Sequence, residues 1–293
     1  MTKLEVARLR AEFLESRELL TASDGKTLFL RRWDAPEESK VTLLLFHGIT
    51  GYSGAYGPSL AEPLARSGVT VFGMDLRGHG LSDGVRGDYP GHDRLVRDLS
   101  ETVAFVRSRS KKLVLLGHSL GALSALLSIK HCPADIDGLI LMSAGRRMKT
   151  GVYNRPSRRS TLRALLGVAL LRGVPLIDYR REGMPGADDP LFNFRYSARF
   201  YTTFYGVGVL RLQRMFREGV VDSPNARLEG NLRVPLLMAV GDQDELFTPE
   251  SCREFGESLR SGDTTFLVIP GGRHAVLTAT TASLLASWLH QRF

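Results

Sequence analysis

Six short apolar runs, most of them apolar on both faces, punctuate this chain: Val41–Phe46, Val69–Met74, Leu113–Gly117, Gly138–Ser143, Val234–Val240 and Thr265–Pro270. A strand that is apolar on both faces must be covered on both, which is the condition of a parallel sheet flanked by helices. Helix-patterned segments lie between the runs, at Ser59–Ser67, Asp93–Ser108, Leu120–His131, Pro249–Leu259 and Ala275–Gln291. The alternation predicts an α/β fold with a mostly parallel central sheet and helices on both faces. Ahead of it, Glu18–Ala22 and Lys26–Trp33 read as two strands joined at Ser23-Asp24-Gly25, an Asp-Gly turn suited to a hairpin. Residues 3–16 place Leu4, Ala7, Ala11 and Leu14 on one stripe of a short helix expected to pack through that stripe.

The rhythm breaks between about Gly145 and Gly230, where no convincing buried strand appears. We expect a helical cap at 146–230, inserted between the two parts of one core, 1–145 and 231–293. The basic charge lies mainly there. The chain has 39 Lys and Arg against 31 Asp and Glu, a formal net of +8. Residues 146–217 hold 15 basic and 4 acidic side chains, a net of +11, which leaves −3 for everything else. Three readings fit: a solvated face, recognition of an acidic head group, or peripheral docking on an anionic membrane. For docking, Arg146, Arg147, Lys149, Arg155, Arg158 and Arg159 would each contribute on the order of 1 kcal/mol. No nucleic-acid-binding motif accompanies the charge, so nucleic acid is disfavoured as a partner. Cys132 and Cys252 are too few and too far apart for a disulfide framework or a zinc site, and no metal site is expected. The first residues lack the unbroken apolar core of a secretory signal, and the longest apolar stretch, Ala164–Ile177, carries Arg172 and Pro175 and falls short of the roughly 20 residues a membrane span needs. A cytoplasmic location, with peripheral membrane contact, fits.

Gly117-His118-Ser119-Leu120-Gly121 follows one predicted strand and opens a predicted helix. A serine on so tight a turn projects its hydroxyl clear of the sheet, and the flanking glycines are needed where a Cβ would meet neighbouring backbone. The Leu120 amide, at the helix start, is placed to donate to a developing oxyanion. A second donor is expected from the loop after Val41–Phe46, where Gly48 permits close approach and the Ile49 amide is the candidate. His47 is read as a backbone-bonding residue. A base is expected late in the chain, and His274 follows Pro270-Gly271-Gly272-Arg273 after the last strand. A carboxylate must orient that imidazole. Asp242 and Asp244, after Val234–Val240, both qualify; position on the turn favours Asp244, and Asp242 stays open.

The order nucleophile, acid, base is that of the α/β-hydrolases. Over nearly all of residues 18–293 the chain resembles the monoacylglycerol lipase and lysophospholipase-like branch of that fold, close to the serine aminopeptidase-like hydrolases. The resemblance rests on His47-Gly48, Asp75-Leu76-Arg77-Gly78-His79-Gly80-Leu81-Ser82, Gly117-His118-Ser119-Leu120-Gly121, Asp189-Pro190-Leu191, Gly241-Asp242-Gln243-Asp244 and Gly272-Arg273-His274. It implies Ser119, Asp244 and His274 as the triad, Ile49 and Leu120 as oxyanion donors, and Asp75 and His79 as structural. One departure stands out: relatives often read His-Gly-x-Gly-Glu-His where this chain has His47-Gly48-Ile49-Thr50-Gly51-Tyr52. The implied activity is hydrolysis of a small acyl ester without a cofactor. An amide or peptide hydrolase is the enzymatic alternative, and a hydrolase-shaped binding protein the non-enzymatic one. Within the cap, Phe192, Phe194, Tyr196, Phe200, Tyr201, Phe204 and Tyr205 crowd together, with Tyr196, Phe200 and Phe204 at helical spacing. They either roof an acyl pocket, with Phe192, Phe194 and Phe200 against the substrate, or pack the cap onto the core.

Overall fold

The apolar runs pair side by side. The computed structural model describes residues 3–12, 17–149, 171–180, 184–205, 230–275 and 277–293. In chain order its strands are β1 (Arg17–Thr21), β2 (Thr27–Trp33), β3 (Val41–Phe46), β4 (Thr70–Met74), β5 (Lys112–His118), β6 (Gly138–Met142), β7 (Ile177–Asp178), β8 (Arg195–Tyr196), β9 (Leu236–Gly241) and β10 (Thr264–Ile269). Eight of them form one sheet in the order β1-β2-β4-β3-β5-β6-β9-β10. The β1–β2 and β2–β4 pairs are antiparallel and the others parallel. The principal helices are α1 (Lys3–Glu12), α2 (Glu62–Arg66), α3 (His92–Arg107), α4 (Leu120–His131), α5 (Ala198–Tyr205), α6 (Pro249–Ser258) and α7 (Ala279–Arg292).

Side chains alternate across the sheet, as strand geometry requires. From β3, β5 and β6, Leu44, Phe46, Leu113, Leu115, Leu139 and Leu141 enter one layer with the buried faces of α3, α4 and α6. Leu43, Leu45, Val114, Leu116, Ile140 and Met142 enter the other, with α2 and α7. This two-sided burial is what the doubly apolar runs predicted.

Three elements differ from the sequence expectation. The α1 stripe is not the one that packs: Val6 and Leu9 contact the cluster of Phe29, Leu81 and Leu191, while Ala7 and Ala11 are exposed. Arg10 sets this rotation, bonding the Leu81 carbonyl and, at 2.9 Å, the Asp83 carboxylate. Leu14 and the side chain of Leu4 lie outside what is described. The helix expected from Ser59 opens as a wider turn over Gly57–Ala61 before α2. The last helix starts at Ala279 and not Ala275, because the Thr278 hydroxyl caps it by accepting from the Thr281 amide, which leaves His274 in a loop.

Between β6 and β9, neighbours in the sheet, the described residues add no strand to it; they form the short β7–β8 ladder and α5. Of the basic cluster, Arg155, Arg158 and Arg159 lie outside the described residues. Arg147 pairs with Glu254 at 3.6 Å and Lys149 donates to the Asp244 carbonyl. Among the described residues no helix is long and apolar enough to cross a membrane.

Leu115 is fully buried at the sheet centre. Leu115→Ala should lower the unfolding free energy by about 2–5 kcal/mol in urea titrations, whereas Val268→Ala, at an exposed position of edge strand β10, should change it by no more than about 0.5 kcal/mol.

Candidate active site

The close seat of α4 on the sheet creates the turn at Ser119. A Cβ on Gly117 would lie 2.4 Å from the Gly121 carbonyl oxygen, and one on Gly121 would lie 2.0 Å from that of Phe46. Both glycines are therefore steric requirements. Ser119 itself takes φ 53° and ψ −114°, a conformation that costs a non-glycine residue roughly 1–3 kcal/mol. Surrounding bonds hold it: its amide donates to the Met142 carbonyl at 2.9 Å, and its carbonyl accepts the Ala122 amide at 3.0 Å.

The late loops converge on that hydroxyl. His274 Nε2 lies 3.0 Å from Ser119 Oγ, and His274 Nδ1 lies 3.0 and 3.1 Å from the two Asp244 oxygens. Asp244 is fully buried. Burial alone pushes its pKa up; the hydrogen bond and charge of His274, the Phe247 amide and the Ser143 hydroxyl outweigh it and hold the carboxyl at about 2. Asp244 Oδ1 also accepts the Leu246 and Phe247 amides at 2.7 and 2.9 Å. Asp242 is engaged elsewhere, accepting the Gly271 amide at 2.8 Å. That bond joins the loops that carry Asp244 and His274, as do Gln243 N–H to the Gly272 carbonyl at 3.0 Å and His274 N–H to Glu245 Oε2 at 2.9 Å. A proton can pass from Ser119 to His274 while Asp244 fixes the imidazole.

The loop after β3 flanks the serine. A Cβ on Gly48 would lie 3.6 Å from Ser119 Cβ. The Gly48 amide is committed to the Tyr56 hydroxyl at 2.9 Å, so it is not free to donate to a substrate. Ile49 follows it, and Leu120 opens α4. His47 is buried, its Nδ1 bonded to the Gly48 carbonyl at 2.8 Å and its Nε2 accepting the Leu76 amide at 3.1 Å. Asp75 accepts Ser53 and Leu81 amides at 2.7 and 2.8 Å and so shapes the adjacent loop.

Sequence reasoning missed His118 and Tyr56 as a unit. His118 Nε2 lies 2.7 Å from the His274 carbonyl, which can only accept, so the proton is on Nε2. Nδ1 then accepts the Tyr56 hydroxyl at 2.6 Å. The chain Gly48 N–H, Tyr56, His118, His274 carbonyl ties the loop after β3 to the loop that carries His274. Burial, and then the nearby His274, push the His118 pKa down to about 3; burial likewise lowers those of His47 and His79.

Of the aromatic candidates, Phe200 is corrected. It is fully buried against His79, Tyr196 and Phe204, at ring separations of 5.7, 4.5 and 4.6 Å, and offers no face to an acyl chain. Tyr196, Phe200 and Phe204 pack together, but Tyr196 does so from β8 and only Phe200 and Phe204 from α5. Phe194 is buried beneath Arg180, while Phe192 keeps a partly exposed face beside Tyr52, 5.5 Å away edge-on.

A family model described as serine aminopeptidase, S33, matches residues 37–280. The chain is 28 % identical to the monoglyceride lipase of Rattus norvegicus over 276 residues, 93 % of this chain and 87 % of the rat protein. It is 27 % identical over 266 residues to the uncharacterized protein YnbC of Escherichia coli (strain K12), spanning 43 % of that protein's length. Among solved structures, it is similar to the monoacylglycerol lipase of Paleococcus ferrophilus, with TM-score 0.64 and 24 % identity over 91 % of this chain and 99 % of that one. It also resembles a soluble variant of the monoglyceride lipase from Saccharomyces cerevisiae, with TM-score 0.69 and 18 % identity over 96 % of both chains. The fold is the α/β-hydrolase fold.

The buried imidazoles give the stability a pH dependence. His118 is depressed from 6.5 to about 3, so below pH 6.5 the unfolded chain binds a proton that the native one refuses, and stability falls as pH falls. Asp244, depressed from 3.8 to about 2, adds a further loss below pH 4. Urea midpoints should therefore drop progressively from about pH 6.5 downward, and His118→Gln should make the decline between pH 6 and 4.5 shallower. A flat midpoint over that interval would refute the neutral His118.

Proposed function

The chain belongs to the serine aminopeptidase S33 family of α/β-hydrolases, and on that premise we propose that it is a serine carboxylic ester hydrolase acting on monoacylglycerols, lysophospholipids or simple carboxylic esters. The observation that carries the reading is His274, placed 3.0 Å from the Ser119 hydroxyl on one side and 3.0 Å from Asp244 on the other. Ser119 attacks the acyl carbonyl while His274 takes its proton, and Asp244 stabilises the resulting imidazolium. The Ile49 and Leu120 amides receive the negative charge of the tetrahedral oxygen. His274 returns the proton to the leaving alcohol, and water, activated by the same imidazole, releases the acyl group. Similarity to proteins named monoglyceride lipase over 93 % of the chain supports an acyl ester as substrate.

We assign residues 146–230 to a cap over this site, with Phe192, whose ring keeps a partly exposed face, at its substrate side. The net +11 of residues 146–217 supports peripheral contact with an anionic membrane, where each basic side chain contributes on the order of 1 kcal/mol. The family description favours a second reading, an amide bond in place of the ester. The basic balance of the cap weighs against a substrate carrying a free amine.

Ser119→Ala should abolish p-nitrophenyl butyrate hydrolysis and fluorophosphonate labelling with Tm unchanged; retained turnover would refute the assignment. A kcat/KM comparison across monoacylglycerols, lysophospholipids, short esters and aminoacyl amides decides between ester and amide. Ester values at least about 100-fold higher, equivalent to some 2.7 kcal/mol, are the expected outcome.

A further inference from the structure

The loop Ile49–Tyr52 is where the chain departs from the pattern of the family it resembles, and with Arg86 and Asp88 it is one of the places where the inserted segment grips the core. The Tyr52 hydroxyl donates to Asp189 Oδ2 at 2.7 Å. Asp189 is itself fixed, its Oδ1 accepting the Leu191 amide at 2.8 Å. The Thr50 carbonyl accepts the Asn193 amide at 3.0 Å, and the Ile49 carbonyl accepts the Tyr196 hydroxyl. The Tyr52 ring stands edge-on to Phe192 at 5.5 Å, with the Arg31 guanidinium 5.5 Å from its centre on the core side. The core holds the ends of the same loop through Gly48 N–H to Tyr56 and Ser53 N–H to Asp75. Between those ends, residues 49, 50 and 52 bond outward to the segment 189–196.

An oxyanion donor works only when its N–H is aimed in advance at the oxygen that gains charge. Here the peptide that carries the Ile49 amide has its oxygen on His47 and the Gly51 amide, the peptide after it is restrained by Tyr196, the next by Asn193, and the loop's side-chain anchor is the Tyr52–Asp189 bond. We propose that Tyr52 and Asp189 form a latch through which the cap sets the position of the Ile49 amide, so that the cap governs turnover as well as access. Both are positioning residues. The latch rests on the proposed ester hydrolysis for its catalytic meaning, but its geometry can be tested without it.

Tyr52→Phe removes one oxygen and keeps the ring against Phe192. It should lower kcat for p-nitrophenyl butyrate about tenfold, less than the loss of a whole oxyanion donor, with KM within about twofold. It should weaken inhibition by an alkyl trifluoromethyl ketone, whose serine adduct carries the oxyanion, in the same proportion as kcat. Asp189→Asn, approached from the cap, should do the same, and the double variant should be no worse than either single one, as coupling through a shared bond requires. Amides 48–52 should exchange hydrogen faster in Tyr52→Phe. Unchanged kcat, a raised KM at constant kcat, or additive losses in the double variant would each overturn the latch. If the wild-type chain turns over no ester, the hydrolase reading fails; the latch is then decided by hydrogen exchange, faster loss at 48–52 supporting it and unchanged exchange overturning it.

Discussion

Everything at the site depends on how closely α4 sits upon β3 and β5. The helix can reach that seat only because residues 117 and 121 carry no Cβ, with carbonyl oxygens waiting 2.4 and 2.0 Å from where one would be. The resulting bend drives Ser119 into a positive φ and lifts its hydroxyl off the sheet. Seat, bend and hydroxyl are one geometric fact: the strain in a single residue is supported by two core layers, so the sheet acts as a rigid mount for one oxygen atom.

Much of this was legible because it follows from local chemistry. Runs such as Val41–Phe46 declare a doubly covered strand, and the glycines around Ser119 declare a close approach. What was not legible depends on partners distant in sequence. Position on the turn favours Asp244 over Asp242, but the bonds that part their roles, the Gly271 amide on Asp242 and the imidazole of His274 on Asp244, come only with the fold. Tyr56 meets His118 across 62 positions, and nothing near either residue announces it. The α1 stripe and Phe200 fail for a related reason: periodicity identifies a face but not what that face will meet.

The histidines show how similar residues are assigned different roles by surroundings alone. His47, His79 and His118 are buried and held neutral by the cost of charging them away from water, and each spends its ring nitrogens on fixed partners. His274 is placed differently, with one nitrogen on a buried carboxylate and the other on a hydroxyl. Neutral imidazoles thus serve as rigid connectors around the one placed to exchange a proton.

The loops that carry Asp244 and His274 are joined by backbone and side-chain bonds, and a Cβ on Gly241 would lie 2.0 Å from the Gly272 oxygen. They hang from β9 and β10, and β10 is the sheet's outer strand, with one hydrogen-bonded neighbour. Edge elements open locally at lower free energy than the centre of a sheet. On warming, the border of the molecule would therefore loosen first and carry the imidazole away from a serine whose own mount is still intact, so inactivation should precede melting.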